Sequence, residues 1–147
     1  MTIDIALSIG APVSSVWPFL TQPASMRRWM VDPDTAEMDI VSDWKTGAAI
    51  TFKGDLHGLP FESKGTILRL EYESIFEYDY WSSLSQQADA PENYSLITFR
   101  LTPSESSTLL TFSQRNLPEG TIYQHFRFYW TVALGVMKKM AETLPIQ

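Results

Sequence analysis

Apolar and polar positions alternate with a period of two along most of this chain, then switch to three- and four-residue steps near its end. The first alternating run is Ile3, Ile5, Leu7 and Ile9 against Asp4, Ala6 and Ser8, which predicts a strand with one buried and one wet face. Gly10-Ala11-Pro12 ends it. Val13, Val16, Trp17 and Leu20 then give a short helical face, in which Pro18 predicts a kink. A second short helix follows Pro23, with Met26, Trp29 and Met30 as its apolar contacts. Residues 31–36 are turn-rich, and strands follow in quick succession. Met38 to Val41 is a weak one; Ala48, Ile50 and Phe52 mark a stronger one; Gly54 to Pro60 reads as a connection. In the next arm Phe61 and Ser63 share one phase and Thr66, Leu68, Leu70 and Tyr72 the other. That predicts a bulge at Lys64-Gly65 and one long, bent strand. Phe76, Tyr78 and Tyr80 alternate with Glu77 and Asp79, so the rings point inward. Ser82 to Glu92 is a polar loop and the expected mobile segment. Ile97, Phe99 and Leu101, then Leu110 and Phe112, mark two final strands joined by a hairpin turn over residues 102–107.

The closing segment, Gly120 to Leu144, has the helical period. Phe126, Trp130, Ala133, Leu134, Met137, Met140, Ala141 and Leu144 form one stripe on a helix that would reach about 36 Å. Thr121 is the expected N-cap, Lys138 and Lys139 suit the C-terminal end of the dipole, and Pro145 is the stop. Phe128, Val132 and Val136 form a flank away from that stripe. The plainer reading is contact with the short helices or scattered surface groups; the sharper one is a self-association surface. The order of elements gives an α+β fold. A curved antiparallel sheet of about six to seven strands, with two short helices, is covered on one face by a long C-terminal helix. One helix does not fill a strongly curved sheet, so a mostly apolar cavity is expected beneath it.

Composition narrows the function classes. A chain of 147 residues is read as one domain over 1–147, which buries about 68–70% of its unfolded surface. With 8 Phe, 6 Tyr and 5 Trp, its interior is expected to be rich in rings. A net charge of -6 and a pI near 4.8 argue against nucleic acid as a partner. The absence of cysteine excludes disulfides, thiolate nucleophiles and Cys-ligated zinc, and fits a cytoplasmic setting. There is no signal-peptide pattern at the start and no apolar run long enough to span a bilayer, so the Asn93-Tyr94-Ser95 sequon carries no weight.

No GxSxG, P-loop, dinucleotide or HExxH motif occurs, which favours a non-enzymatic role with no metal and no cofactor. His57 falls in a turn, with a surface role as its plain reading. His125 lies at the edge of the helix stripe, where a structural hydrogen bond outweighs catalysis. Tyr78 and Tyr80 carry more interest. Their hydroxyls need partners when buried, and either one, with Glu62 or Arg27 near an entrance, could orient the polar end of an apolar ligand. Glu77 and Asp79 fall in the outward phase, which argues against a general base there. Phe52, Phe61, Phe99, Phe112, Tyr123, Phe126 and Trp130 are core or cavity wall.

Several of these residues carry a family resemblance. Ala11-Pro12, Val16-Trp17, Leu20-Thr21, Pro23 and Trp29 resemble the opening motif of the START-like (SRPBCC, helix-grip) superfamily. Within it they resemble the AHSA-like group, similar to the C-terminal domain of the Aha-type activator of the heat-shock-protein-ninety ATPase. Trp44 with Gly47 and Phe52, Lys64 to Ile67, Trp81, Thr98 to Leu101 with Pro103, Thr108 and Leu110, and His125 with Trp130 extend the likeness over about residues 3–142. Pro18 departs from the pattern. The resemblance implies a helix-grip fold; its members include lipid carriers, polyketide cyclases and co-chaperones. The preferred expectation is non-catalytic binding of a small hydrophobic or amphipathic molecule between sheet and helix. Its expected contacts are Trp29, Phe52, Phe61, Glu62, Tyr78, Tyr80, Phe99, Phe112, Tyr123, Phe126 and Trp130. The alternatives are a cyclase-like enzyme and a chaperone-linked interaction domain. A homodimer through Phe128, Val132 and Val136 is compatible with all three.

Overall fold

The computed structural model describes residues 1–32, 36–56 and 58–143. Expectations for His57, Leu144 and Pro145, and for the turn at residues 33–35, fall outside the described residues. Seven strands form one antiparallel sheet: β1 Ile3–Ile9, β2 Ala36–Ser42, β3 Ala49–Leu56, β4 Leu59–Glu71, β5 Ile75–Ser82, β6 Ser95–Ser104 and β7 Ser107–Arg115. Their spatial order is β1-β7-β6-β5-β4-β3-β2, a meander closed by the first strand laid beside the last. Helices α1 Val13–Thr21, α2 Pro23–Met30 and α3 Thr121–Thr143 pack together, α1 meeting β6 and β7, α2 meeting β2, and α3 meeting β1. This is the α+β helix-grip fold.

The helical stripe buries as its period dictates. Trp130, Ala133, Leu134, Met137 and Ala141 are buried, with Phe126 and Met140 half-buried at its margins. α3 opens at Gly120, whose carbonyl accepts the Gln124 N–H at 3.1 Å and whose φ of +89° suits glycine, so Thr121 is its first helical residue rather than its cap. α1 runs through Pro18 to Thr21 and buries Phe19 together with Val16, Trp17 and Leu20. The β3–β4 connection is far tighter than the sequence suggests. Gly54 to Leu56 and Leu59-Pro60 belong to the strands, and Asp55 Oδ1 accepts the Gly58 N–H at 2.5 Å to fold the turn. The β6–β7 turn is likewise confined to Glu105 and Ser106.

β4 is the long, bent strand expected, but its phase changes later. Phe61, Ser63 and Ile67 face inward, and the register shift falls between Ile67 and Arg69, leaving Leu68 outward and 42% exposed. Gly65 has a different task. A Cβ there would lie 1.6 Å from the Asp79 main-chain oxygen, and the next amide, Thr66 N–H, donates to Asp79 Oδ1 at 2.6 Å. The strands approach so closely at that point that only hydrogen fits.

The C-terminal end of α3 is tied to the β1–α1 turn by one carboxylate. Glu142 Oε2 accepts from Lys138 Nζ at 2.5 Å and from Gly10 N–H at 2.7 Å. The Lys138 ammonium, then the Gly10 amide, hold the Glu142 carboxyl below its ordinary value of 4.5. A carboxyl depressed in the folded state stabilises above its unfolded pKa, and the contribution is lost as pH falls through the folded one. Glu142→Gln is therefore expected to melt lower than the parent above pH 4.5, with the gap closing under stronger acid. Thermal melts of both proteins across that range check this.

Candidate functional site

The inward phases of β3 to β7 and the stripe of α3 bring most of the predicted aromatic residues into one connected set. Phe52 lies 6.0 Å from Tyr78, Tyr78 4.9 Å from Phe76, Phe76 6.1 Å from Phe99, and Phe99 5.2 Å from Phe112, centroid to centroid. Trp130 completes it at 4.4 Å from Phe112 and 6.4 Å from Trp29. These rings meet across the interval between sheet and helix, at separations typical of packed aromatic pairs. The Trp29 indole N–H donates to the Phe19 carbonyl at 2.8 Å, which locks α2 onto α1. The Tyr129 hydroxyl does the same between α3 and the end of α2, donating to the Met30 carbonyl at 2.5 Å.

One end of this interior is polar. The Trp130 indole N–H donates to Gln114 Oε1 at 2.8 Å, Gln114 Nε2 to Ser95 Oγ at 3.0 Å, and the Tyr80 hydroxyl to Ser63 Oγ at 3.0 Å. Gln114 is fully buried; Ser63, Ser82 and Ser95 are nearly so. A void of about 10 Å³ lies here, between Tyr80, Ser95 and Gln114 on the sheet, Ile122 and Phe126 on α3, and Ser85, Gln87 and Asn93 above. That is about the room one water requires. The covering residues belong to the polar stretch Ser83–Tyr94, which is tied down at several points. Lys64 Nζ sits 2.6 Å from Asp89 Oδ2, the Tyr94 hydroxyl donates to Asp89 Oδ1 at 2.6 Å, and Trp81 Nε1 donates to the Gln87 carbonyl at 3.2 Å. Asn116 Nδ2 donates to the carbonyls of Glu92 and Tyr94.

Tyr80 and Tyr129 act as donors here, not bases. Burial pushes Tyr78 well above the usual tyrosine range, with Tyr80 and Tyr129 adding to it. Burial also raises Tyr80, against the opposing hydrogen bonds of Ser63 and Ser82, and raises Tyr129 strongly. Apart from tyrosine and tryptophan, the buried polar side chains among the described residues are Ser, Thr and Gln, so these hold no charged acid or base. The two tyrosines do lie side by side, at 6.4 Å, but neither of the polar partners expected near them arrives. Glu62 is exposed in the outward phase of β4, and Arg27 reaches Asp39 on the surface at 3.5 Å. His125 is exposed, with no hydrogen bond among the described residues, which corrects the reading of a structural bond there. Phe61 and Tyr123 are half-buried at the margins of the set; the Tyr123 hydroxyl accepts from Arg127 Nη1 at 3.2 Å. No cluster among the described residues could hold a metal ion. A larger depression, about 440 Å³, lies outside this interior, where Arg27 and Val31 face the β2–β3 hairpin. Gln114 and Phe76 were legible, since they continue the Leu110–Phe112 and Tyr78–Tyr80 alternations; Tyr129 lies off the apolar stripe, and no pattern announced it.

The outer face of α3 carries an apolar row among polar neighbours that include Thr131 and Lys139. Phe128, Val132 and Val136 are 71%, 50% and 37% exposed, at four-residue steps opposite the buried stripe. Gly135 shares that face, and a Cβ added to it would meet nothing within 4 Å. Among the described residues no helix is long and apolar enough to cross a membrane.

The profile of the family described as Activator of Hsp90 ATPase homolog 1-like protein matches residues 10–142. A solution structure from Cytophaga hutchinsonii is similar at 32% identity and a TM-score of 0.80, over 97% of this chain and 94% of that one. A crystal structure from Chromobacterium violaceum is similar at 17% identity and a TM-score of 0.82, over 98% and 99%. The Aha1 dimer from Colwellia psychrerythraea is similar at 20% identity and a TM-score of 0.75, over 97% of each chain. No curated protein matches.

Proposed function

The chain belongs to the Activator of Hsp90 ATPase homolog 1-like family, and from that premise we propose that it works in the cytoplasm as a non-catalytic, self-associating interaction domain. The observation that carries this reading is the outer ridge of α3. Phe128, Val132 and Val136 expose apolar surface in a row about 12 Å long. Gly135, beside them, costs a helix about 1 kcal/mol relative to alanine, and nothing within 4 Å inside the chain requires it to be small. A second helix approaching closely along this face does require it. In a two-fold arrangement Val132 lies near the axis and each Phe128 meets the Val136 of the second copy, the self-complementary pattern that isologous dimers need. A dimer of the same fold supports the reading. Val132→Glu places a charge at the centre of such a contact. By sedimentation the parent chain is expected to be a dimer and V132E a monomer with unchanged circular dichroism. A parent that stays monomeric at every concentration would overturn the reading.

The polar-ended void favours a second reading: a small hydrophobic or amphipathic molecule held between sheet and α3. Its polar end would take Tyr80, Ser95 and Gln114, with Trp29, Phe52, Tyr78, Phe99, Phe112 and Trp130 as the apolar walls deeper in. The present void is too small for such a molecule, so in this reading it makes room by displacing the segment above.

A further inference from the structure

The segment Ser83–Tyr94 leaves β5 and returns to β6 over the polar end of the interior. Its last turn is held separately, by Asn116 on the Glu92 and Tyr94 carbonyls. Its middle is held by Asn93 Nδ2 on the Ala88 carbonyl, by Trp81 on Gln87, and by one exposed carboxylate that ties it to β4. Asp89 takes the Lys64 ammonium on one oxygen and the Tyr94 hydroxyl on the other, each at 2.6 Å. The same ammonium stands 5.7 Å over the Trp81 ring, whose N–H donates to Gln87. These ties are polar and lie near the surface, where ion pairs contribute little and salt screens them. Leu84, the one large aliphatic side chain of the segment, is 41% exposed and anchors nothing in the core. A segment held in this way belongs to the low-stability end of a structure, the part that opens locally while the rest stays folded.

What it covers differs in character from its own ties. Tyr80, Ser95 and Gln114 present polar atoms from the sheet, while Ile122 and Phe126 present apolar ones from α3. We infer that Ser83–Tyr94 is a lid latched by Asp89, and that releasing the latch opens the polar end of the grip to an amphipathic molecule. The molecule's polar end would point at Gln114 and Ser95, and its apolar end would rest on Phe126. The inference rests on the second reading above, and the two can fail separately.

The probe is 8-anilinonaphthalene-1-sulfonate, an amphipathic anion. The α3 ridge would also attract it, so both proteins compared carry Val132→Glu. Asp89→Ala in that background removes the Lys64 and Tyr94 ties at once and leaves Trp81 on Gln87 and Asn93 on Ala88. Hydrogen exchange of the amides between Leu84 and Ala90 is expected to quicken by about tenfold or more, with amides of β5 and β7 unchanged. Probe association in stopped-flow fluorescence is expected to quicken by at least about fivefold. Unchanged exchange would overturn the latch. Faster exchange with an unchanged association rate would overturn the lid while leaving the ligand reading intact. Failure of both proteins to bind the probe would overturn the ligand reading and the lid with it.

Discussion

Replacing Gly65 by alanine is expected to destabilise the fold by about 3–5 kcal/mol, at the upper end of single substitutions. For a domain of this size that is a fall of about 10 °C or more in melting temperature. The reason is local. The added methyl carbon would sit 1.6 Å from the Asp79 carbonyl oxygen and 2.9 Å from Asp79 Oδ1. The nearest obstacle is main chain, which cannot rotate aside, so β4 and β5 must part. Parting them also breaks the Thr66 N–H to Asp79 carboxylate bond, and a hydrogen bond to a charged group contributes about 1.5–3 kcal/mol. Denaturant titration followed by far-ultraviolet circular dichroism measures the loss. Gly135→Ala is the matched control: it adds the same methyl group to an open face and should leave monomer stability equal or slightly higher. A Gly65→Ala protein within about 1 kcal/mol of the parent would mean that the two strands separate there at little cost.

Trp130 is the second position of large effect. Trp130→Ala is expected to cost about 3–5 kcal/mol, the range for truncating a buried tryptophan. Its ring is only 3% exposed and meets Phe112 at 4.4 Å, Tyr129 at 5.1 Å and Phe99 at 5.9 Å. Trp130→Phe separates packing from hydrogen bonding. It keeps much of the ring but leaves buried Gln114 Oε1 without its donor, which costs about 1–3 kcal/mol. Adding Gln114→Leu should recover part of that loss, because the stranded oxygen goes with it. Midpoints of urea unfolding for the parent, Trp130→Phe, Gln114→Leu and the double variant, arranged as a double-mutant cycle, test this. If the double variant is as unstable as the sum of its parts, the Gln114 contact is not what Trp130→Phe disrupts.

The parts of the fold that were legible in the sequence are those where one period persists. α3 is one: its buried residues are the ones its three- and four-residue spacing selects. β1 and the Ile97, Phe99, Leu101 face of β6 are others. The phase of β4 differs from its apparent alternation for a physical reason. Thr66, Leu68 and Leu70 imitate a regular alternation, while the true core residue is Ile67 and the extra residue enters beside Leu68. Nothing local distinguishes these two phasings; the partner strand does. Gly54 and Pro60 look like loop residues, which makes the β3–β4 connection appear longer than it is. Gly54 is instead a point where strand backbones crowd, 2.0 Å being all that a Cβ would have to the Glu37 oxygen. For the site, alternation chose the inward rings but could not say how fully they would meet one another. Volume is settled between residues far apart in the chain, such as Phe76 with Phe99 and Phe112 with Trp130. The ties of Asp89 to Lys64 and Tyr94 were hidden for the same reason. A polar stretch without periodicity reads as loose, whatever single contacts hold it.

The laying of β1 beside β7 has a consequence for how this molecule is made. Ile3 pairs with Gln114, and Ile9 with Thr108. As the ribosome emits the chain, the first strand therefore appears long before β7, the strand it pairs with. Until then it is an apolar ribbon with no hydrogen-bonding mate, and β6 presents a bare edge of its own. Closing so long a loop is a slow, late event, so the nascent protein depends on whatever keeps Ile3, Ile5 and Leu7 from finding a stranger's edge first.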